Sequence, residues 1–67
     1  MIRIVLNGQT REIEPGLTLE GLLVQLELPV GRVAVERNRH VVPRGGYAAV
    51  PVEPGDRIEV VTLVGGG

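Results

Sequence analysis

Apolar and polar positions alternate at the start of the chain, with Ile2, Ile4 and Leu6 on one face and Arg3 and Val5 on the other. A period of two predicts a half-buried strand. Asn7-Gly8 follows, and both residue types tolerate the positive φ that a two-residue type I′ hairpin turn demands. A return strand over Thr10 to Glu14 places Ile13 on an apolar face, and Pro15-Gly16 ends it. From Leu19 the period lengthens. Leu19, Leu22, Leu23 and Leu26 fall at i, i+3, i+4 and i+7, the stripe of an amphipathic helix. Thr18 has the chemistry of its N-cap, and Leu17 with Leu22 has the spacing of a hydrophobic staple. Pro29 stops the helix by Leu28, so about ten residues are expected. Gly21 inside it costs roughly 1 kcal/mol relative to alanine, which anticipates a packing reason for its presence.

The second half reads as strands. Val33 to Arg37 puts Val33 and Val35 on one face, Asn38-Arg39 makes a turn, and His40 to Val42 pairs back as a short edge strand closed by Pro43. Gly45 through Pro51 has no period and is expected to be irregular, with 3₁₀ structure near Tyr47. Glu53-Pro54-Gly55-Asp56 suits a turn with Pro at its second and Gly at its third position. Arg57 to Val64 sets Ile58, Val60, Thr62 and Val64 against Glu59, Val61 and Leu63. Both faces of this run are largely apolar, as in a central strand or one whose outer face meets a partner. The order is that of a two-layer α+β domain with a mixed sheet of four to five strands on one helix.

Length makes this a single domain, residues 1–67, with a small core. Without cysteine it has no disulfide, no CxxC zinc site and no dithiol chemistry, which fits a reducing, cytoplasmic setting. A 43% hydrophobic content argues against disorder. A formal charge of −1 argues against a nucleic-acid binder, and no apolar run is long enough for a membrane span. Serine and lysine are absent as well, so there is no serine or cysteine nucleophile and no Schiff-base lysine. One histidine, His40, is too few for a usual His-based metal site. The inventory is that of a protein that does not catalyse alone, without metal or bound cofactor.

Candidate chemistry is therefore sparse. Glu12 and Glu14 share a strand face, where a solvated surface is the simpler reading. His40 near Glu36 lacks the partners that catalysis needs. Arg37, Arg39 and Arg44 form a basic group that either docks an acidic partner or balances Glu36 and Glu53. Gly65-Gly66-Gly67 closes the chain as a tail of residues 65–67 expected to be flexible. Glycine is costly to order, but a chain without Cβ atoms can thread a narrow channel and present a carboxylate. Val64 to Gly67 spans at most roughly 13 Å.

Several residues carry a family resemblance along the whole chain. They are Leu6-Asn7-Gly8, Thr18 at the head of the leucine helix, Val35-Glu36-Arg37-Asn38, Val42-Pro43-Arg44, Tyr47, Gly55-Asp56 and the closing Val64-Gly65-Gly66-Gly67. In these the chain resembles the sulfur carrier proteins of thiamine (thiazole) biosynthesis, the ThiS family. The resemblance implies a ubiquitin-like β-grasp fold and a protein co-substrate rather than an enzyme. It implies that an E1-like, ThiF-type adenylyltransferase adenylates the Gly67 carboxylate with ATP, used by that partner and not held by this chain. Sulfur from a cysteine desulfurase persulfide would convert it to a thiocarboxylate, and a ThiG-type thiazole synthase would accept the sulfur. Gly65 and Gly66 would thread the partner's channel. Val61 and Leu63, with Arg37 and Arg44, are the expected docking residues. Carriers for tRNA thiolation or molybdopterin synthesis share fold and tail, and these readings stay open, as does a β-grasp interaction module with an incidental tail.

Overall fold

The computed structural model describes residues 1–63. Strands β1 (Ile2–Leu6) and β2 (Gln9–Ile13) form an antiparallel hairpin, with Ile2 opposite Ile13 and Leu6 opposite Gln9. Its turn holds Asn7 at φ 48 and Gly8 at φ 80, the left-handed pair that a type I′ turn requires. Helix α1 (Leu19–Gln25) follows, then β3 (Val33–Arg37), β4 (His40–Val42) and β5 (Arg57–Thr62). The sheet runs β2-β1-β5-β3-β4, with β1 and β5 parallel and the remaining neighbours antiparallel. The last strand is thus the central one, as its two apolar faces anticipated.

Helix α1 and the segment carrying Tyr47 and Val52 cover one face of the sheet. Ile4, Leu6, Ile13, Val33, Val35, Ile58 and Val60 point into the core, where Leu19, Leu22 and Leu23 meet them. Each strand obeys the period of two, and the helix stripe is the one read from its leucines.

The helix N-terminus accounts for all its amides. Leu19 N–H donates to Val50 O at 2.9 Å, Glu20 N–H to Tyr47 O at 3.1 Å and Gly21 N–H to Thr18 Oγ1 at 3.1 Å. Leu22 N–H then donates to Thr18 O at 2.9 Å, the first bond of the helical ladder. The irregular connection after β4, which begins with a 3₁₀ turn over Arg44–Gly46, therefore serves as a cap. Tyr47, the lone aromatic, is buried and donates from its hydroxyl to Val33 O at 3.1 Å.

The helix is shorter than the sequence predicts. It has seven residues, not about ten, because Glu27 takes φ 59 and ends it before Pro29 acts. Glu27 N–H donates to Val24 O and Leu28 N–H to Leu23 O, at 3.0 and 2.9 Å. This is a Schellman end with glutamate where glycine is usual. Gly21 has no steric need for its missing side chain. A Cβ there would lie 3.4 Å from Leu17 Cδ2, an ordinary contact.

Candidate functional site

Strand β5 carries the chain from the middle of the sheet toward its end. Its inner residues Ile58 and Val60 are buried, whereas Val61 and Leu63 on the other side are 60% and 47% exposed. Ala34 lies directly opposite Val61, and Val41, 74% exposed, lies diagonally across β3 from Ala34. The two docking residues read from the sequence thus belong to an apolar strip on the uncovered face. The strip ends where the described residues end. Gly65, Gly66 and Gly67 lie outside the described residues, as does Val64 of the expected last strand.

The arginines separate. Arg37 is held by Asp56, with Nε 2.8 Å from Oδ2 and Nη2 donating to Oδ1 at 3.3 Å. Its counter-charge is therefore Asp56, not Glu36 or Glu53. Arg44 is exposed in the 3₁₀ turn after β4, and Arg39 is exposed at φ 70 in the β3–β4 turn. His40 is also exposed, with Nδ1 3.0 Å from Asn38 O. Glu12 and Glu14 are exposed.

The residues that order this end of the molecule are ones to which the sequence assigned no role beyond turn or family motif. Asp56, 5% exposed, is surrounded by donors. Besides Arg37, Asn38 Nδ2 donates to Oδ1 at 3.0 Å and Glu53 N–H to Oδ2 at 2.8 Å. Burial pushes its carboxyl up, but the Glu53, Arg37 and Asn38 hydrogen bonds and the Arg37 charge outweigh burial and hold it below the ordinary carboxylate range. Two turn asparagines clamp β5. Asn7 Oδ1 accepts from Val60 N–H at 2.8 Å and Asn7 Nδ2 donates to Val60 O at 3.3 Å. Asn38 Oδ1 accepts from Arg57 N–H at 2.9 Å. One sequence signal was available for both: each is the first residue of a two-residue hairpin turn. Asp56 is the only aspartate in the chain.

Nothing among the described residues resembles a catalytic or metal centre. A cleft of about 220 Å³ opens between β2 and α1, lined by Arg11, Ile13, Leu22, Gln25 and Leu26 among others. No three His, Cys, Asp or Glu side chains among the described residues are grouped to hold a metal ion. No helix among them is long and apolar enough to cross a membrane.

The profile of the ThiS family matches residues 4–67. The chain belongs to the ThiS family. Among relatives, the sulfur carrier protein ThiS of Escherichia coli is 32% identical over 66 residues, covering 98% of this chain and all of that one. The thiazole synthase of Magnetococcus marinus is 52% identical over 66 residues, again 98% of this chain but only 20% of the synthase. The chain spans about a fifth of the length of the thiazole synthases that it matches. The crystal structure of the thiamine biosynthesis protein ThiS from Geobacter metallireducens superposes with a TM-score of 0.84 at 29% identity, covering 98% of this chain and 100% of that one. The five-stranded mixed sheet on one helix is thus the β-grasp arrangement of the ThiS family, as the resemblance implied.

Proposed function

We propose that this ThiS-family chain is a sulfur carrier for thiazole formation in thiamine biosynthesis, acting as a co-substrate and not as a catalyst. The observation that carries the reading is the family match, which runs through the glycine end to residue 67. Strand β5 supports it by leading from the centre of the sheet into that end.

The chemistry suits a chain without nucleophiles. A carboxylate is a poor electrophile. A ThiF-type enzyme would join the Gly67 carboxylate oxygen to the α-phosphorus of ATP, releasing pyrophosphate, and the mixed anhydride then has AMP as leaving group. The terminal sulfur of a cysteine desulfurase persulfide displaces AMP, and a thiol reduces the acyl disulfide to the thiocarboxylate. Each step uses groups of the partner enzymes, so this chain supplies only a reachable carboxylate and a surface. Gly65 and Gly66 give clearance. Val61 and Leu63 supply the apolar contact, with Arg44 beside the 3₁₀ turn as the charged one. Arg37, being engaged by Asp56, contributes by holding the end of β3 rather than by a free charge. The relatives named thiazole synthase carry a region like this chain, which supports a ThiG-type synthase as the sulfur acceptor. These partners place the work in the cytoplasm.

Intact-protein mass spectrometry tests the proposal. With ATP, cysteine, a cysteine desulfurase and a ThiF-type enzyme, the mass should rise by the exchange of one oxygen for one sulfur, mapped to Gly67. One residue added after Gly67 should abolish the gain without altering the fold. Equal sulfuration of the extended chain would overturn the assignment.

A further inference from the structure

Strand β5 is supported unevenly at its far end. On the β3 side its odd-numbered residues carry the ladder: Asn38 N–H donates to Arg57 O at 2.7 Å and Leu63 N–H to Arg32 O at 2.8 Å. On the β1 side the even-numbered residues do so. Val5 N–H donates to Asp56 O and Asn7 N–H to Ile58 O, both at 2.9 Å. The Asn7 side chain then supplies the next rung by bonding both N–H and O of Val60. There β1 stops, because Asn7 and Gly8 turn the chain away into β2.

The following rung belongs to Thr62. By the alternation of a strand, its N–H and C=O face the side on which Val60 meets Asn7. Among the described residues none pairs with them, and Thr62 is exposed. A central strand thus becomes an edge strand at Thr62, five residues before the last glycine.

We propose that this edge receives an extended segment of the enzyme that activates the Gly67 carboxylate, which adds a strand alongside β5 beginning at Thr62. Two observations select that occupant. The chain after Leu63 reaches at most roughly 13 Å, so an enzyme reacting at Gly67 must lie against this end of the sheet. Gly65 to Gly67 offer no side chains to read, so their backbone N–H and C=O groups are the only polar groups available for recognition. Strand addition uses those groups. Asn7 sets where the internal ladder stops and the external one begins. The inference rests on the carrier reading above.

Thr62→Pro is the discriminating variant. It deletes an N–H that no internal bond uses, at an edge position where proline is tolerated. Melting and circular dichroism should stay near those of the wild type, while ATP-dependent sulfuration by a ThiF-type enzyme should fall at least about fivefold for the lost backbone bond. Thr62→Val, which keeps the N–H, should remain within about twofold. Amide hydrogen exchange read by NMR gives a second measure that does not depend on the variant folding. The Thr62 amide should exchange freely in the isolated chain and slow at least about tenfold in the complex with the ThiF-type enzyme. Full activity of Thr62→Pro, unchanged Thr62 exchange in the complex, or no complex at all would overturn the proposal. Sulfur gain with an unprotected Thr62 would overturn the edge and leave the carrier role standing. A protected Thr62 without sulfur gain would do the reverse.

Discussion

Asp56 shows what one buried charge does in a domain with little core. Its carboxylate accepts from Arg37, Asn38 and the Glu53 amide, and so ties β3, the turn before β5 and the start of β5 together. Because its folded-state pKa is depressed, the stability it contributes is fully present above about pH 4, the unfolded-state value. It is lost as pH falls below that, through the lower folded value. Asp56→Asn should lower stability at pH 7 by about 2–3 kcal/mol, as the buried end of Arg37 loses its counter-charge. Urea midpoints between pH 7 and pH 2 should therefore fall less steeply for the variant than for the wild type. Asn7 is a second pin. Asn7→Gly keeps the left-handed turn but removes both bonds to Val60, and should cost about 1–2 kcal/mol in denaturant unfolding.

Helix α1 has its glycine and its side chain in exchanged places. Gly21 occupies an interior position that would accept a methyl group, while Glu27 sits in the left-handed conformation that glycine prefers. Gly21→Ala should raise stability by about 0.5–1 kcal/mol through helix propensity and a less flexible unfolded chain. Glu27→Gly should raise it by about 1 kcal/mol through relief of the left-handed penalty. The two sites are six residues apart and independent, so thermal melts of the double variant should show additive gains. A loss from Glu27→Gly would mean that the glutamate side chain makes a contact that outweighs its backbone strain.

At the scale of the whole molecule, one strand bears the fold. Strand β5 bonds to β1 on one side and to β3 on the other, and Ile58 at its centre is 0% exposed. Truncating a fully buried isoleucine costs about 2–5 kcal/mol, whereas a core of this size supplies only about 3–5 kcal/mol. Ile58→Ala should therefore leave a large unfolded fraction at 25 °C, visible as lost chemical-shift dispersion in NMR spectra. The placement also bears on function, since the strand that holds the sheet together is the one that runs on toward the glycines.

Much of this was written along the chain. Period-two runs at Ile2–Leu6 and Val33–Arg37, the leucine stripe of α1 and the Asn-Gly turn each arise from neighbours a few residues apart, so local sequence determined them. The two apolar faces of β5 likewise forecast its central place, and the glycine end with its family motifs pointed to the carrier class. Only the tertiary structure decided what depends on residues far apart. Asn7 meets Val60 across 53 positions, and Asp56 gathers Arg37 and Asn38 from 19 and 18 positions away. No window of sequence contains such a pair, because a side-chain amide or carboxylate in a turn reads the same whether its partner is water or a strand. The early stop of α1 at Glu27 was hidden for a related reason. An amphipathic pattern continues through Leu26 and Leu28, and it was their burial against the core, not their spacing, that made leaving the helix favourable.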